Sequence, residues 1–227
     1  MTTYQWEQRT LTQPVEFRED SDRGPVATGY AAVFGKRSQN LGGFVEVVSP
    51  TAFNKTVKEA DVVALRDHDP SKVLGRSSAG TLRLEVDEVG LRYEVDLPDT
   101  TDGRDLAVLL GRRDIIGSSF GFRVTKDGDE WGHTEDGFPL RTLTNVALRD
   151  VSPVTYPAYL DTESALRSLA EARSLDLGAV KAAAESNQLQ ALLSDEDEAE
   201  TVDAERSDED DRETHIVLRH QRRFIHL

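Results

Sequence analysis

The chain of 227 residues carries 27 lysines and arginines against 42 aspartates and glutamates, which gives a formal net charge of −15. Because general nucleic-acid binding needs a basic surface, this balance argues against a nucleic-acid-binding protein. The chain has no cysteine, and this excludes a disulfide framework, a thiolate nucleophile and a zinc–thiolate site.

Hydropathy gives no sign of a membrane protein. No run of about 18 apolar residues occurs, so we expect no membrane-spanning helix. Residues 1–9 are polar and lack the apolar core of a signal peptide, which favours an intracellular type of protein. The mean hydropathy of −0.50 is low for a fully packed chain and predicts a polar segment.

Composition divides the chain into four predicted regions. Residues 1–173 are rich in strand patterns, and residues 174–194, rich in alanine, leucine and glutamine, are predicted to be helical. Residues 195–213 form an acidic tether, predicted to be disordered because its charges repel one another. Residues 214–227 combine basic and apolar side chains and are predicted to be a docking peptide or a tail without a role.

The first region predicts a mainly β fold with helices. Its clearest hairpin joins residues 82–86 to residues 91–95 through an acidic turn. The strands do not alternate regularly with helices, so we expect a largely antiparallel β-barrel surrounded by short helices. Further strands are predicted at 10–17, 29–34, 43–48, 62–65, 115–124, 140–146 and 147–155, and helices from Ser49-Pro50, around 106–110 and at 164–173.

The strand at residues 115–124 carries the first chemical signal. Its period-2 alternation places Ser118 on the aromatic face, with Phe120 and Phe122, and places Ser119 on the opposite face. Gly121 lies two residues from Ser119 on that face and leaves space beside its hydroxyl. Ser119 is therefore a candidate nucleophile, although a structural serine is the simpler interpretation of this stretch alone.

Two further residues complete a candidate catalytic set. His68 follows an apolar strand, where an imidazole could act as a general base or simply lie at the surface. Asp150 lies on a partly buried strand face, where a carboxylate needs a partner. That partner could be a histidine, or Arg149 or Arg76 in a structural ion pair. Ser119, His68 and Asp150 together are the parts of a nucleophile–base–orienter system.

Five short motifs between residues 29 and 167 occur in an order that resembles a known family. Together they resemble the prohead (capsid maturation) serine proteases of tailed bacteriophages. The motifs are Gly29–Phe34 (GYAAVF), Asp67–Asp69 (DHD) with Leu74–Arg76 (LGR), Ser78–Leu82 (SAGTL), Gly117–Phe122 (GSSFGF) and Asp150–Ala158 (DVSPVTYPA).

The resemblance implies a fold similar to the herpesvirus capsid-maturation protease. It also implies a catalytic histidine and serine at His68 and Ser119. Asp150 matches an acidic position of the family, but Asp67 or Asp69 could orient the imidazole instead. No cofactor and no metal are expected. The oxyanion donors could be backbone amides or an arginine, with candidates Arg76, Arg123 and Arg149.

The implied function is a serine endopeptidase of phage procapsid maturation. Its expected substrates are the scaffolding protein, the scaffolding region of the major capsid protein, and the protease itself. It would act inside the procapsid, in the cytoplasm of the bacterial host, and herpesvirus-type relatives suggest a homodimer. The alternative is a non-catalytic capsid-assembly (scaffolding) module that binds capsid subunits without turnover.

Overall fold

The computed structural model describes residues 6–11, 14–156 and 162–193, which include twelve strands and four principal helices. The predicted acidic tether and C-terminal peptide lie outside the described residues. The elements are β1 (Glu7–Leu11), β2 (Glu16–Asp20), β3 (Gly24–Val33), β4 (Val45–Val48), α1 (Thr56–Glu59), β5 (Val63–Arg66), β6 (Asp69–Arg76), β7 (Leu82–Val86), β8 (Gly90–Asp96), α2 (Thr101–Arg112), β9 (Gly117–Val124), β10 (Asp129–His133), β11 (Pro139–Leu143), β12 (Val146–Val154), α3 (Thr162–Ala172) and α4 (Leu177–Glu185).

The largest sheet has five strands in the order β1-β9-β12-β5-β6. Strand β9 pairs antiparallel with β1 on one side and with β12 on the other. Strand β12 pairs parallel with β5, and β5 pairs antiparallel with β6. Strand β12 is therefore the central strand, and it lies between the strand that contains Ser119 and the strand that leads to His68.

A second, antiparallel sheet has the order β2-β3-β8-β7, and a third has the order β10-β11-β4 with β4 parallel to β11. The two larger sheets contribute to one core, in which Leu91 and Tyr93 of β8 are buried with Phe120 and Phe122 of β9. The rings of Phe120 and Phe122 stack with centroids 4.9 Å apart. This core supports the strand face opposite Ser119.

The strand-rich α+β class predicted from the sequence is confirmed, but a closed barrel is not. The described strands form three separate sheets rather than one closed ring. Two strand pairs are parallel, which adds to a mainly antiparallel arrangement. Alternation identifies the buried face of each strand but not its neighbours, so it overestimated closure.

Some element bounds differ from those predicted. The strand predicted at 10–17 is two strands, β1 and β2, and β2 continues to Asp20, with β3 starting at Gly24. Charged residues there form ion pairs across the sheet, for example Arg18 and Arg23 with Glu94 of β8. Ser49-Pro50 begins a series of turns rather than a helix, and α1 starts at Thr56.

Helices α3 and α4 form a second apolar cluster with the loop before β4. Leu169 of α3, Val180 of α4 and Phe44 are all fully buried there. Gly43 has φ 104°, and an added Cβ would lie 3.4 Å from the Ala184 backbone, so this loop fits closely against the helical segment. Within the described part of the chain, no helix has both the length and the apolar character that crossing a membrane requires.

A buried ion cluster joins four strands from two sheets. Arg141 of β11 exposes no side-chain surface, and its guanidinium donates to Glu7 of β1, Glu46 of β4 and Asp129 of β10, at 2.7 to 3.1 Å. Arg9 adds bonds to Glu7 at 2.7 Å and to Glu46 at 2.8 Å. The cluster therefore fastens β1 and the third sheet to each other.

The charges of this cluster depend on one another. Burial alone would raise the pKa of Glu7, but Arg141 and Arg9 outweigh it and hold that pKa below its usual value. A carboxyl whose pKa is lowered by folding contributes its full stabilisation at pH values above its ordinary pKa, which is about 4.3 for glutamate. That contribution is lost as the pH falls through the lowered pKa of the folded state.

We expect Arg141→Leu to lower the free energy of unfolding by about 3–5 kcal/mol, because it leaves buried carboxylates without their partner. Urea denaturation at pH 7 measures the change. The control is Arg104→Ala, which removes an exposed pair with Asp99 and should leave the midpoint nearly unchanged. Equal midpoints for the two variants would show that the cluster does not stabilise the fold.

Candidate active site

His68 lies in the two-residue connection between β5 and β6. Asp67 and His68 have φ values of 53° and 56°, the left-handed region in which residues other than glycine are uncommon. Two-residue hairpins favour positive φ at their central residues, because this matches the twist of the paired strands. The tight turn therefore directs His68 back toward β12 instead of leaving it in an open loop.

Ser119 and Asp150 lie on the neighbouring strands β9 and β12. In the register of this pair, Asp150 is opposite Gly121 and Ser152 is opposite Ser119. The register shifts between Leu148 and Asp150, an irregularity of the kind that redirects a side chain. Pairing thus places the acid two positions from the serine on the adjacent strand.

The three predicted residues are brought together in one chain of contacts. His68 Nε2 lies 2.6 Å from Ser119 Oγ, and His68 Nδ1 makes a short contact with Asp150 Oδ1. Ser119 is fully buried, and the side chains of His68 and Asp150 are 8% and 1% exposed. A serine, an imidazole and a carboxylate in this sequence of contacts can activate the hydroxyl as a nucleophile.

The Asp150 carboxylate has two further donors. Arg149 Nε donates to Oδ2 at 3.0 Å, and Ser152 Oγ donates to Oδ1 at 3.0 Å. Burial would raise the pKa of Asp150, but the bonds and charges of His68 and Arg149 lower it below its usual value. Asp150 is therefore ionised at neutral pH and can accept a hydrogen bond from the Nδ1–H of His68. This leaves Nε2 of His68 unprotonated, as the acceptor that faces Ser119.

The two alternative acids bond elsewhere. Asp67 accepts from the backbone N–H of Thr155 at 2.7 Å and from its hydroxyl at 3.2 Å. Asp69 accepts from Ser71, and these bonds together with Lys72 lower its pKa to about 2. Of the three acids that the sequence left open, Asp150 is the one that contacts the imidazole.

Gly121 provides the room that the Asp150 carboxylate occupies. A Cβ added at Gly121 would overlap Asp150 Oδ2 and would lie 3.3 Å from a guanidinium nitrogen of Arg149. The sequence suggested open space for a neighbouring backbone at this glycine. In the structure the Asp150 carboxylate fills that space. Glycine is therefore needed at position 121 for Asp150 to reach His68.

Ser118 and Ser119 have different surroundings, as the alternation predicts. Ser118 is fully buried, and its Oγ lies 2.9 Å from the hydroxyl of Tyr93 in the second sheet. Gly29 allows this contact, since an added Cβ there would lie 3.1 Å from Ser118 Oγ. Ser118 thus joins the two sheets, whereas Ser119 faces His68.

Strand β1 supplies two contacts to Ser119 that the sequence did not reveal. Ser119 Oγ lies 2.9 Å from the carbonyl oxygen of Arg9, and the Thr10 hydroxyl donates to Ser119 Oγ at 3.2 Å. A hydroxyl has one hydrogen, so Ser119 can donate it either to Arg9 or to His68. The signal for this arrangement lay in pairing between residues more than 100 positions apart, which a local pattern does not contain.

The three arginines proposed as oxyanion donors all have other contacts. Arg76 donates to Asp61 at 2.6 Å, and Arg149 is bonded to Asp150. Arg123 lies over the ring of Trp6, 5.4 Å from its centroid. Among the residues that the structure describes, no group of three or more histidine, aspartate or glutamate side chains could hold a metal ion.

The fold and these contacts define a strand-rich α+β protein with a serine-hydrolase type of site. Residues 13–175 match the family model of the caudovirus prohead serine proteases, so the chain belongs to that family. The chain is therefore a serine protease of phage capsid maturation, and this function associates it with capsid proteins and the procapsid.

The solved structure of the capsid assembly protease gp21 of bacteriophage T4 is similar, with 14% sequence identity and a TM-score of 0.46. The similarity covers 67% of this chain and 99% of that chain. No curated protein matches the sequence.

We expect Gly121→Ala to slow proteolysis by about 10²-fold, because its methyl group displaces the Asp150 carboxylate from His68. Cleavage of a protein substrate, followed on gels, measures the rate. Gly132→Ala is the matched control, since a Cβ there meets no atom within 4 Å. Equal rates for both variants, with both folded, would contradict the prediction.

Proposed function

We propose that the chain is an endopeptidase that cleaves the scaffolding protein or the scaffolding region of the major capsid protein, and also its own chain. In this proposal Ser119 is the nucleophile, His68 the general base and Asp150 the acid that orients His68. The observation that supports these roles is the continuous contact from Ser119 Oγ through both imidazole nitrogens to Asp150.

The reaction proceeds in two halves. Ser119 Oγ attacks the scissile carbonyl carbon while His68 Nε2 takes its proton, and a tetrahedral oxyanion forms. The C–N bond then breaks, and His68 delivers the proton to the leaving amine, which leaves an acyl ester on Ser119. Water attacks this ester with His68 again as base, and the acid product and free Ser119 are released.

Asp150 contributes through its charge. The imidazolium that forms in each half is stabilised by an ionised carboxylate at Nδ1, and the lowered pKa of Asp150 keeps that carboxylate charged at neutral pH. Ser152 and Arg149 hold its oxygens, so the acid does not have to reorganise during the reaction.

A peptide can reach Ser119 only after part of the protein moves. Ser119 exposes no surface, and both Arg9 and Thr10 of β1 contact its hydroxyl. Substrate binding therefore requires displacement of the segments that cover the hydroxyl. Such a closed resting state suits a protease that must remain inactive until its substrates have assembled around it.

The proposal also covers the type of fold, the oligomeric state, the site of action and the domain bounds. We infer a fold of the herpesvirus-protease type, supported by the common core of the two larger sheets, and a protease that works as a homodimer. Its site of action is the interior of the procapsid within the bacterial host. Residues 1–173 would form the protease domain and residues 174–194 a helical segment.

We expect Ser119→Ala to reduce cleavage by on the order of 10⁶-fold, since a catalytic serine acts as a unit with its base. The assay co-expresses the chain with the major capsid protein of the same phage and measures the mass of the capsid protein. Ser118→Ala is the control, and it should retain cleavage while losing the bond to Tyr93. A shortened capsid protein with Ser119→Ala would refute the assignment.

A further inference from the structure

The turn that carries His68 adopts a backbone conformation that requires support. Asp67 and His68 both have positive φ, and neither residue is a glycine. Left-handed conformations cost free energy for residues with a Cβ, so the hairpin pairing and the contacts around the turn must together offset this cost. The contacts that hold this turn therefore also determine where the imidazole lies.

Three hydrogen bonds hold the turn, and all of them reach the end of β12. The Asp67 backbone N–H donates to the carbonyl of Pro153 at 3.0 Å. The Asp67 carboxylate accepts from the backbone N–H of Thr155 at 2.7 Å and from the Thr155 hydroxyl at 3.2 Å. Arg66 adds an ion pair, with Nε 3.7 Å from Asp67 Oδ2.

Strand β12 also carries Asp150, the acid at Nδ1 of His68. The bonds between Asp67 and Thr155 therefore connect the turn that contains His68 to the strand that contains Asp150. Because the imidazole must contact both Ser119 and Asp150, a small rotation of the turn would break at least one contact. Displacements of about 1 Å can reduce rates by about 10²-fold even when the displaced group remains nearby.

We propose that Asp67 and Thr155 are positioning residues for His68, a proposal that rests on the role of His68 given above. The Asp67 carboxylate, together with the backbone N–H and the hydroxyl of Thr155 that donate to it, is here called the Asp67–Thr155 clamp. The clamp holds the left-handed turn against the end of β12. The clamp acts through the backbone of His68 and does not touch the reacting atoms. The sequence placed Asp67 beside His68 as an alternative orienting acid, whereas the contacts give it this different role.

Asp69 provides a matched comparison on the other side of His68. Its carboxylate accepts from Ser71 and pairs with Lys72 at 3.2 Å, so its bonds remain within β6. Asp67 and Asp69 are thus acids of the same type, each adjacent to His68 and each partly exposed. The Asp67 carboxylate bonds to the end of β12 and the Asp69 carboxylate does not. The proposal depends on this difference.

The test measures the rate at which a fluorophosphonate labels Ser119 in the full chain. We expect Asp67→Ala to label about 10- to 100-fold more slowly than the unaltered protein, while Asp69→Ala labels at a similar rate. Thr155→Val should also slow labelling, but less than Asp67→Ala, because it keeps the backbone N–H bond to Asp67. Thr155→Ser keeps the hydroxyl and should restore most of the rate. The pH profile of labelling should change in the slowed variants, with thermal unfolding midpoints close to the unaltered value.

A second measurement does not depend on access to Ser119. Proton NMR detects the downfield resonance of the Nδ1 proton shared by His68 and Asp150, which is assigned by its absence in His68→Ala. We expect this resonance to broaden or disappear in Asp67→Ala and in Thr155→Val, and to persist in Thr155→Ser and in Asp69→Ala.

The outcomes separate the two proposals. If His68→Ala labels as fast as the unaltered chain, then His68 does not activate Ser119 and the proposed function fails. If His68→Ala abolishes labelling but Asp67→Ala and Thr155→Val match Asp69→Ala in rate and resonance, then only the positioning proposal is overturned. A slowed rate in Thr155→Ser equal to that of Thr155→Val would also overturn the role of the hydroxyl.

Discussion

The buried carboxylate of Asp150 is the constraint on which the site depends. A charge inside a sheet is costly unless donors surround it, and here an imidazole, a guanidinium and a hydroxyl do so. The backbone irregularity before Asp150 directs it toward His68, and the missing side chain of Gly121 provides its space. The same surroundings that make the charge tolerable also orient the base toward Ser119.

A second group of buried charges lies on the other side of Ser119. Arg141 and its carboxylates hold β1 against the small sheet, and β1 places the carbonyl of Arg9 and the hydroxyl of Thr10 beside Ser119. The serine therefore lies between two polar networks that share no charged residue. One network contacts its hydroxyl through His68, and the other holds the strand β1 that covers it.

Local sequence patterns identified the residues of the site, but they did not identify the contacts between those residues. Alternation in β9 separated Ser119 from Ser118, and the apolar run of β5 placed His68 at a strand end. Sequence alone left three acids open for His68, because pairing across 82 positions decides which one reaches it. Arg141 was not recognised as buried, since an isolated charged residue in a strand pattern resembles a solvent-exposed one.

The order of strands in the sheet has a consequence for when activity can appear. Strand β12 is the last of the described strands along the chain, yet it occupies the centre of its sheet. A chain emerging from the ribosome has already released β5 and β9, but these two strands have no shared partner until residues 146–154 follow. Long-range pairing of this kind forms late in folding. The contacts of His68 with Ser119 and Asp150 therefore cannot be completed before residues 146–154 have been synthesised and paired.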